Sequence, residues 1–141
     1  MSDQVLVIDD EESVRTTLRR ALEEEGFSVA TAGSGRAGLK AAERAAPDVA
    51  VVDLKLGDGS GLEVLRDLKT LSPATVTIMI SAYGEVQDVV QAMKLGAEDY
   101  VQKPYDLDEM VRCVTQTLHA SRMREALGGA GEGTAAEAGL G

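Results

Sequence analysis

What most constrains this chain is an alternation. Short β-branched runs, several of which stop at a carboxylate, are separated by longer stretches of helical period. Strands are predicted near residues 4–8, 28–32, 48–52, 75–80 and 99–102. Between them Val14, Leu18, Ala21 and Leu22 recur every three or four residues, as do Leu62, Leu65 and Leu68. A third stripe is Val86, Val89, Val90 and Met93, and the last is Leu107, Met110, Val111, Val114 and Leu118. Gly26 and Gly96 stand where helix C-terminal caps are expected, and Ser60 with Glu63 and Asp106 with Glu109 have capping-box spacing. Residues 34–45 form the weakest helical segment, because Gly35 and Gly38 interrupt it. Five strands alternating with helices imply an α/β chain whose parallel sheet is covered on both faces. Right-handed crossovers restrict it to a doubly wound open sheet.

Sheets of this kind bind ligands at the carboxyl ends of their strands. Asp9 and Asp10 follow the first strand, Asp53 ends the third, Ser81 the fourth and Lys103 the fifth, so all five are predicted to face one crevice. Carboxylates at the edge of an apolar core are costly unless a cation gathers them, and an all-oxygen ligand set with room for water suits Mg²⁺. Two charges about 4 Å apart interact by about 4 kcal/mol at an effective dielectric of 20, so clustered carboxylates raise one another's pKa or recruit such an ion. Adding a lysine and a hydroxyl supplies the parts for phosphoryl transfer, with an aspartate as nucleophile.

Composition bounds the rest. A chain of 141 residues fits one domain. Its 24 acidic against 14 basic residues give a formal charge of -10 with no local basic patch, which argues against direct nucleic-acid binding. Cys113 is the only cysteine, which excludes an intramolecular disulfide; it lies beside the last apolar stripe as a packing residue. His119 falls at the end of the same helix, where a positive charge is favourable. No apolar run approaches the roughly 20 residues that span a bilayer, and Met-Ser-Asp-Gln has no signal-peptide character, so no membrane association and a cytoplasmic location are expected. The compact part is expected to occupy residues 1–122, and 123–141 to be a flexible Gly/Ala-rich tail or linker. Such a chain is read either as a truncated fragment or as a stand-alone domain.

The pair Asp9-Asp10, then Asp53, Ser81-Ala82, Tyr100 and Lys103-Pro104, in that order at strand ends, resembles a response-regulator receiver domain over roughly residues 3–120. Ala82-Tyr83-Gly84-Glu85-Val86, Ala92-Met93-Lys94-Leu95-Gly96-Ala97 and Lys103-Pro104-Tyr105-Asp106-Leu107 are most similar to receivers of NtrC-like transcription activators. The resemblance implies a flavodoxin-like sheet of order 2-1-3-4-5 with five helices. It implies that Asp53 accepts a phosphoryl group from a sensor histidine kinase. Mg²⁺ would then be held by Asp10, Asp53 and the backbone carbonyl of Lys55, with Asp9 acting through water. Lys103 would pair with the phosphoryl oxygens, and Ser81 would bond the group while Tyr100 turns inward. The switched surface would be the fourth helix, fifth strand and fifth helix, controlling a homodimer, an output domain or a partner protein. Catalysis would be limited to the chain's own phosphorylation and dephosphorylation, so no enzyme is expected. A cis bond before Pro104 is also implied.

The family usually carries a proline where Gly57 stands, so the loop Gly57-Asp58-Gly59-Ser60-Gly61 is expected to be more flexible than usual. Lys55 and Tyr83 flank the site. The alternative reading is a receiver-fold interaction module that works without phosphorylation. A haloacid-dehalogenase-type phosphatase would need an aspartate where Lys55 stands, and Asp9-Asp10-Glu11-Glu12 would repel a flavin phosphate.

Overall fold

The computed structural model describes residues 2–131. Its elements run β1 (Gln4–Ile8), α1 (Glu12–Glu24), β2 (Ser28–Ala32), α2 (Gly35–Arg44), β3 (Val49–Asp53), β4 (Lys55–Leu56), β5 (Gly59–Ser60), α3 (Gly61–Leu71), β6 (Val76–Ser81), α4 (Val86–Lys94), β7 (Asp99–Gln102) and α5 (Leu107–Gly131). The main sheet is parallel with order β2-β1-β3-β6-β7. This is the predicted order, with β7 as its fifth strand.

Successive side chains of a strand point to opposite faces, and the core divides accordingly. Val5, Val7, Val49, Val51, Ile78 and Ile80 pack with Leu18, Leu22, Met110 and Val114 of α1 and α5. Leu6, Ile8, Ala50, Val52 and Met79 pack with α2, α3 and α4 through Ala42, Val64, Leu65, Leu68 and Ala92. β1 and β3 therefore read as near-continuous apolar runs, and β6 does so apart from the buried Thr77 and Ser81, since both faces are covered.

The structure departs from the sequence reading at several places. The third and fourth main strands each start one residue later than expected. The chain bends at Asp48 just before β3, and the Asp48 carboxylate accepts the Gln4 N–H at 2.7 Å. The expected loose loop is instead an antiparallel hairpin, with Lys55 opposite Ser60 and Leu56 opposite Gly59. Asp58 at its turn accepts from the Gly35 and Arg36 N–H groups at 2.9 and 3.1 Å, fastening the hairpin to the start of α2. The glycines of α2 are permissive for packing rather than disruptive: a Cβ on Gly38 would fall within 2.7 Å of Ile8 Cγ1, so only glycine lets the helix lie this close to β1. Ser60 caps α3 by accepting from the Leu62 N–H at 3.1 Å. Gly26 and Gly96 end their helices at φ 98° and 109°.

α5 continues past the boundary expected at residue 122. Helix-favouring residues follow, and the Arg122 guanidinium forks onto Asp3 at 2.8 and 3.2 Å, tying this turn to the start of β1. The remainder of the expected tail, 132–141, lies outside the described residues. Among the described residues no helix is long and apolar enough to cross a membrane.

Candidate functional site

Parallel strands deliver their carboxyl ends to one edge, and the acidic groups gather there. Carboxylate oxygens of Asp9, Asp10 and Asp53 all lie within 4.8 Å of one another. Asp9 is fully buried, Asp53 nearly so, and Asp10 is exposed. The Asp9 carboxylate accepts the Glu11 N–H at 2.9 Å through Oδ1, whereas its buried Oδ2 has no hydrogen-bond partner. Burial, opposed by the Glu11 bond and reinforced by the neighbouring Asp53 charge, pushes the Asp9 carboxyl up to about 6. A buried acceptor without a donor is costly, so the cluster is built for a cationic third party. Its all-oxygen donor set, one side of which is open at Asp10, fits a hard divalent ion such as Mg²⁺.

Asp53 is held on both oxygens. Oδ1 accepts the Lys55 N–H at 3.0 Å, and Oδ2 pairs with Lys103 Nζ at 2.8 Å. Burial works against the Lys103 ammonium, but the bond to Asp53 and the nearby Asp9 and Glu11 charges outweigh it and raise its pKa. Lys103 reaches this position because its N–H donates to the Ser81 carbonyl at 2.7 Å, extending the pairing of β6 and β7. Its peptide bond to Pro104 is cis, as the resemblance implies. Behind Asp53, Gly61 allows backbone contact: a Cβ there would strike the Asp53 carbonyl oxygen and come within 2.8 Å of Leu54 Cα.

The structure thus brings Asp9, Asp10, Asp53 and Lys103 together, with Ser81 buried at the adjoining strand end. Tyr100 stands apart. It is 45% exposed and lines a cavity of about 530 Å³ between α4 and β7 with Ser81, Val86, Val90 and Met93. Lys55 is mostly exposed and pairs with Glu85 at 3.5 Å, while Tyr83 projects into solvent. Cys113 is half-buried and directs its thiol toward Asp99 Oδ2 at 3.5 Å.

Four residues were not singled out by their sequence positions. Arg15 donates to the Asp9 carbonyl at 2.7 Å, and Glu11 lies 3.9 Å from Lys103. Tyr105 is half-buried beside the cluster, where burial and then the Asp9 charge raise its hydroxyl pKa. Glu85 accepts the Ala82 N–H at 2.6 Å. Arg15 and Glu11 sit one helical turn apart at the start of α1, a spacing that could have marked them.

The chain matches the response regulator receiver domain family over residues 5–115. It is 34% identical over 123 residues to the regulatory protein AtoC of Escherichia coli, covering 87% of this chain and 27% of AtoC. It is 45% identical over 107 residues to the transcriptional regulatory protein KdpE of Mycobacterium tuberculosis, covering 76% of this chain and 47% of KdpE. Among solved structures, NtrX from Brucella abortus superposes with a TM-score of 0.85 at 29% identity, covering 90% of this chain and 29% of that one. The chain spans between 27% and 60% of the length of the curated relatives it matches. The sheet order, the strand-end carboxylates with their lysine, and these likenesses agree: the chain belongs to the receiver-domain family of two-component response regulators.

Proposed function

We propose that this chain works in the cytoplasm, where Asp53 accepts a phosphoryl group from a histidine of a sensor kinase, with Mg²⁺ held by Asp10, Asp53 and the Lys55 carbonyl and with Asp9 contributing through water. The observation that carries this reading is the 2.8 Å pair of Lys103 and Asp53 beside a fully buried Asp9 whose Oδ2 lacks a partner. When bound, the cation supplies positive charge to a cluster that one lysine alone does not neutralise. The Asp53 carboxylate attacks phosphorus, a new O–P bond forms, and the bond from phosphorus to the donor breaks with its electron pair leaving on the donor. Lys103 then pairs with the phosphoryl oxygens and Ser81 donates its hydroxyl to them.

The added charge is read elsewhere. As Ser81 moves toward the phosphoryl group, Tyr100 turns into the cavity beneath α4, changing the surface formed by α4, β7 and α5. That surface controls a homodimer, an output domain or a partner protein, in line with the regulatory proteins the chain is similar to. The receiver unit is assigned to residues 1–122, with α5 carrying on from it into the expected linker segment 123–141 as far as Gly131. It catalyses only its own phosphorylation and dephosphorylation and is not otherwise an enzyme.

Incubation with Mg²⁺ and acetyl phosphate should add one phosphoryl group by intact mass, with acetate leaving. Asp53→Asn and a chelated sample should gain none. A wild-type chain that stays unmodified overturns the reading and leaves the phosphorylation-independent module in its place. Beryllofluoride with Mg²⁺ should raise the dimer fraction in sedimentation; an unchanged monomer removes dimerisation as the output and retains partner binding.

A further inference from the structure

Between the acidic cluster and the cavity under α4 lies a carboxylate with no part in the reaction above. Glu85 immediately precedes α4, and its side chain is only 10% exposed although the surrounding loop is open. It spends neither oxygen on capping its own helix. Oε1 instead reaches back to accept the Ala82 N–H at 2.6 Å, and Oε2 lies 3.5 Å from Lys55 Nζ. The turn is closed a second time by the Glu85 N–H donating to the Ala82 carbonyl at 3.3 Å, with Gly84 at φ 90° permitting the bend.

Both partners of this carboxylate belong to segments that border Asp53. Ala82 follows Ser81 at the end of β6, and the Lys55 N–H already bonds Asp53 Oδ1. A short bond from a backbone N–H to a carboxylate is charge-assisted, and Lys55 adds an ion pair at 3.5 Å. A phosphoryl group on Asp53 brings further negative charge and acceptor oxygens to the same edge. It would meet a donor and a cation already committed to a resident anion.

We infer that Glu85 is a positioning residue: an internal anion that holds the Ala82 N–H and Lys55 in the unphosphorylated state and must release them when Asp53 is phosphorylated. The proposal rests on Asp53 being the acceptor. Release of Glu85 frees the loop from Ala82 to Glu85, and with it the first turn of α4, a helix whose one fully buried residue is Ala92, with Val89 only partly buried against the core. The latch therefore slows phosphorylation and ties its completion to movement of α4.

Glu85→Gln separates this role from simple loop bracing. The amide oxygen can still accept the Ala82 N–H, whereas the negative charge and the Lys55 pair are gone. With acetyl phosphate and Mg²⁺, Glu85→Gln should be phosphorylated about 3-fold faster than wild type, and Glu85→Ala on the order of 10-fold faster. Melting temperatures report folding, and the Gln variant carries the test if the Ala variant fails to fold. A Glu85→Gln rate equal to or below that of a phosphorylatable wild type overturns the latch while leaving Asp53 as acceptor. A wild type that takes up no phosphoryl group overturns both.

Discussion

Two helices flank the same strand ends and are attached very differently. α3 buries Gly61, Val64, Leu65 and Leu68, is capped by Ser60, and is led in by a hairpin that Asp58 fastens to α2. α4 fully buries only Ala92, has no side-chain cap, and leaves Val86, Val90 and Met93 at 67%, 48% and 41% exposure. Each large side chain that α3 buries contributes about 1.5–3 kcal/mol, and α4 forgoes most of that. A signalling domain needs one flank that keeps the reacting groups in place and another that can be displaced at low cost. Under the proposed switch, α3 suits the first role and α4 the second.

Gly61→Ala should break the fixed flank most severely. The new methyl would meet the Asp53 carbonyl and Leu54 Cα, both backbone atoms, so we expect a loss of about 3 kcal/mol or more in urea unfolding. A variant within about 1 kcal/mol of wild type would show that the hairpin yields easily.

Paired truncations test the contrast directly. Leu65→Ala should cost about 2–5 kcal/mol, whereas Val90→Ala on the exposed side of α4 should stay within about 0.5 kcal/mol. Native-state hydrogen exchange should likewise show α4 amides opening at a lower free energy than those of α3. Equal costs, or equal protection, would dissolve the distinction.

A smaller effect is expected at Asp58, which lies in solvent. Its bonds to the Gly35 and Arg36 N–H groups hold its carboxyl below the usual carboxylate range. A depressed folded pKa means that the stabilisation is complete above the unfolded value of about 4 and is lost as pH falls through the folded one. Asp58→Ala should therefore melt below wild type at pH 6, and the gap should narrow toward pH 3. A gap that widened on acidification would contradict the clamp.

The last effect, which reads local access and not stability, concerns α5 against β7. Burial, ahead of the Asp99 charge, pushes the Cys113 thiol up to about 11. Its alkylation at pH 8 should run on the order of a hundredfold slower than that of free cysteine. A comparable rate would mean that α5 lifts from β7 as readily as α4 from the sheet.

Much of this was legible in advance because it rests on period and order. Val5-Leu6-Val7-Ile8 and Val49-Ala50-Val51-Val52 are apolar throughout, which only a sheet covered on both faces requires, and the carboxylates that end them had to meet at one edge. The α4 stripe shows the limit. Val86, Val90 and Met93 recur with helical spacing and the helix exists, yet spacing does not say whether an apolar face is covered. The hairpin was hidden for another reason. Gly57-Asp58-Gly59 permits many turns, and what selects one is Asp58 reaching the first N–H groups of α2, more than twenty residues earlier in the chain.

By itself the sequence determined the alternation of strand and helix, the resemblance that gave the strand order, and the set of residues delivered to the strand ends. These follow from local period and from the handedness of crossovers. Only the tertiary structure decided that Asp9 is buried with an unmet oxygen, that Asp58 clamps α2, and that Glu85 turns back onto Ala82 and Lys55. Each depends on distances between segments remote in sequence or on the turn of one loop, and a one-dimensional pattern carries no distances.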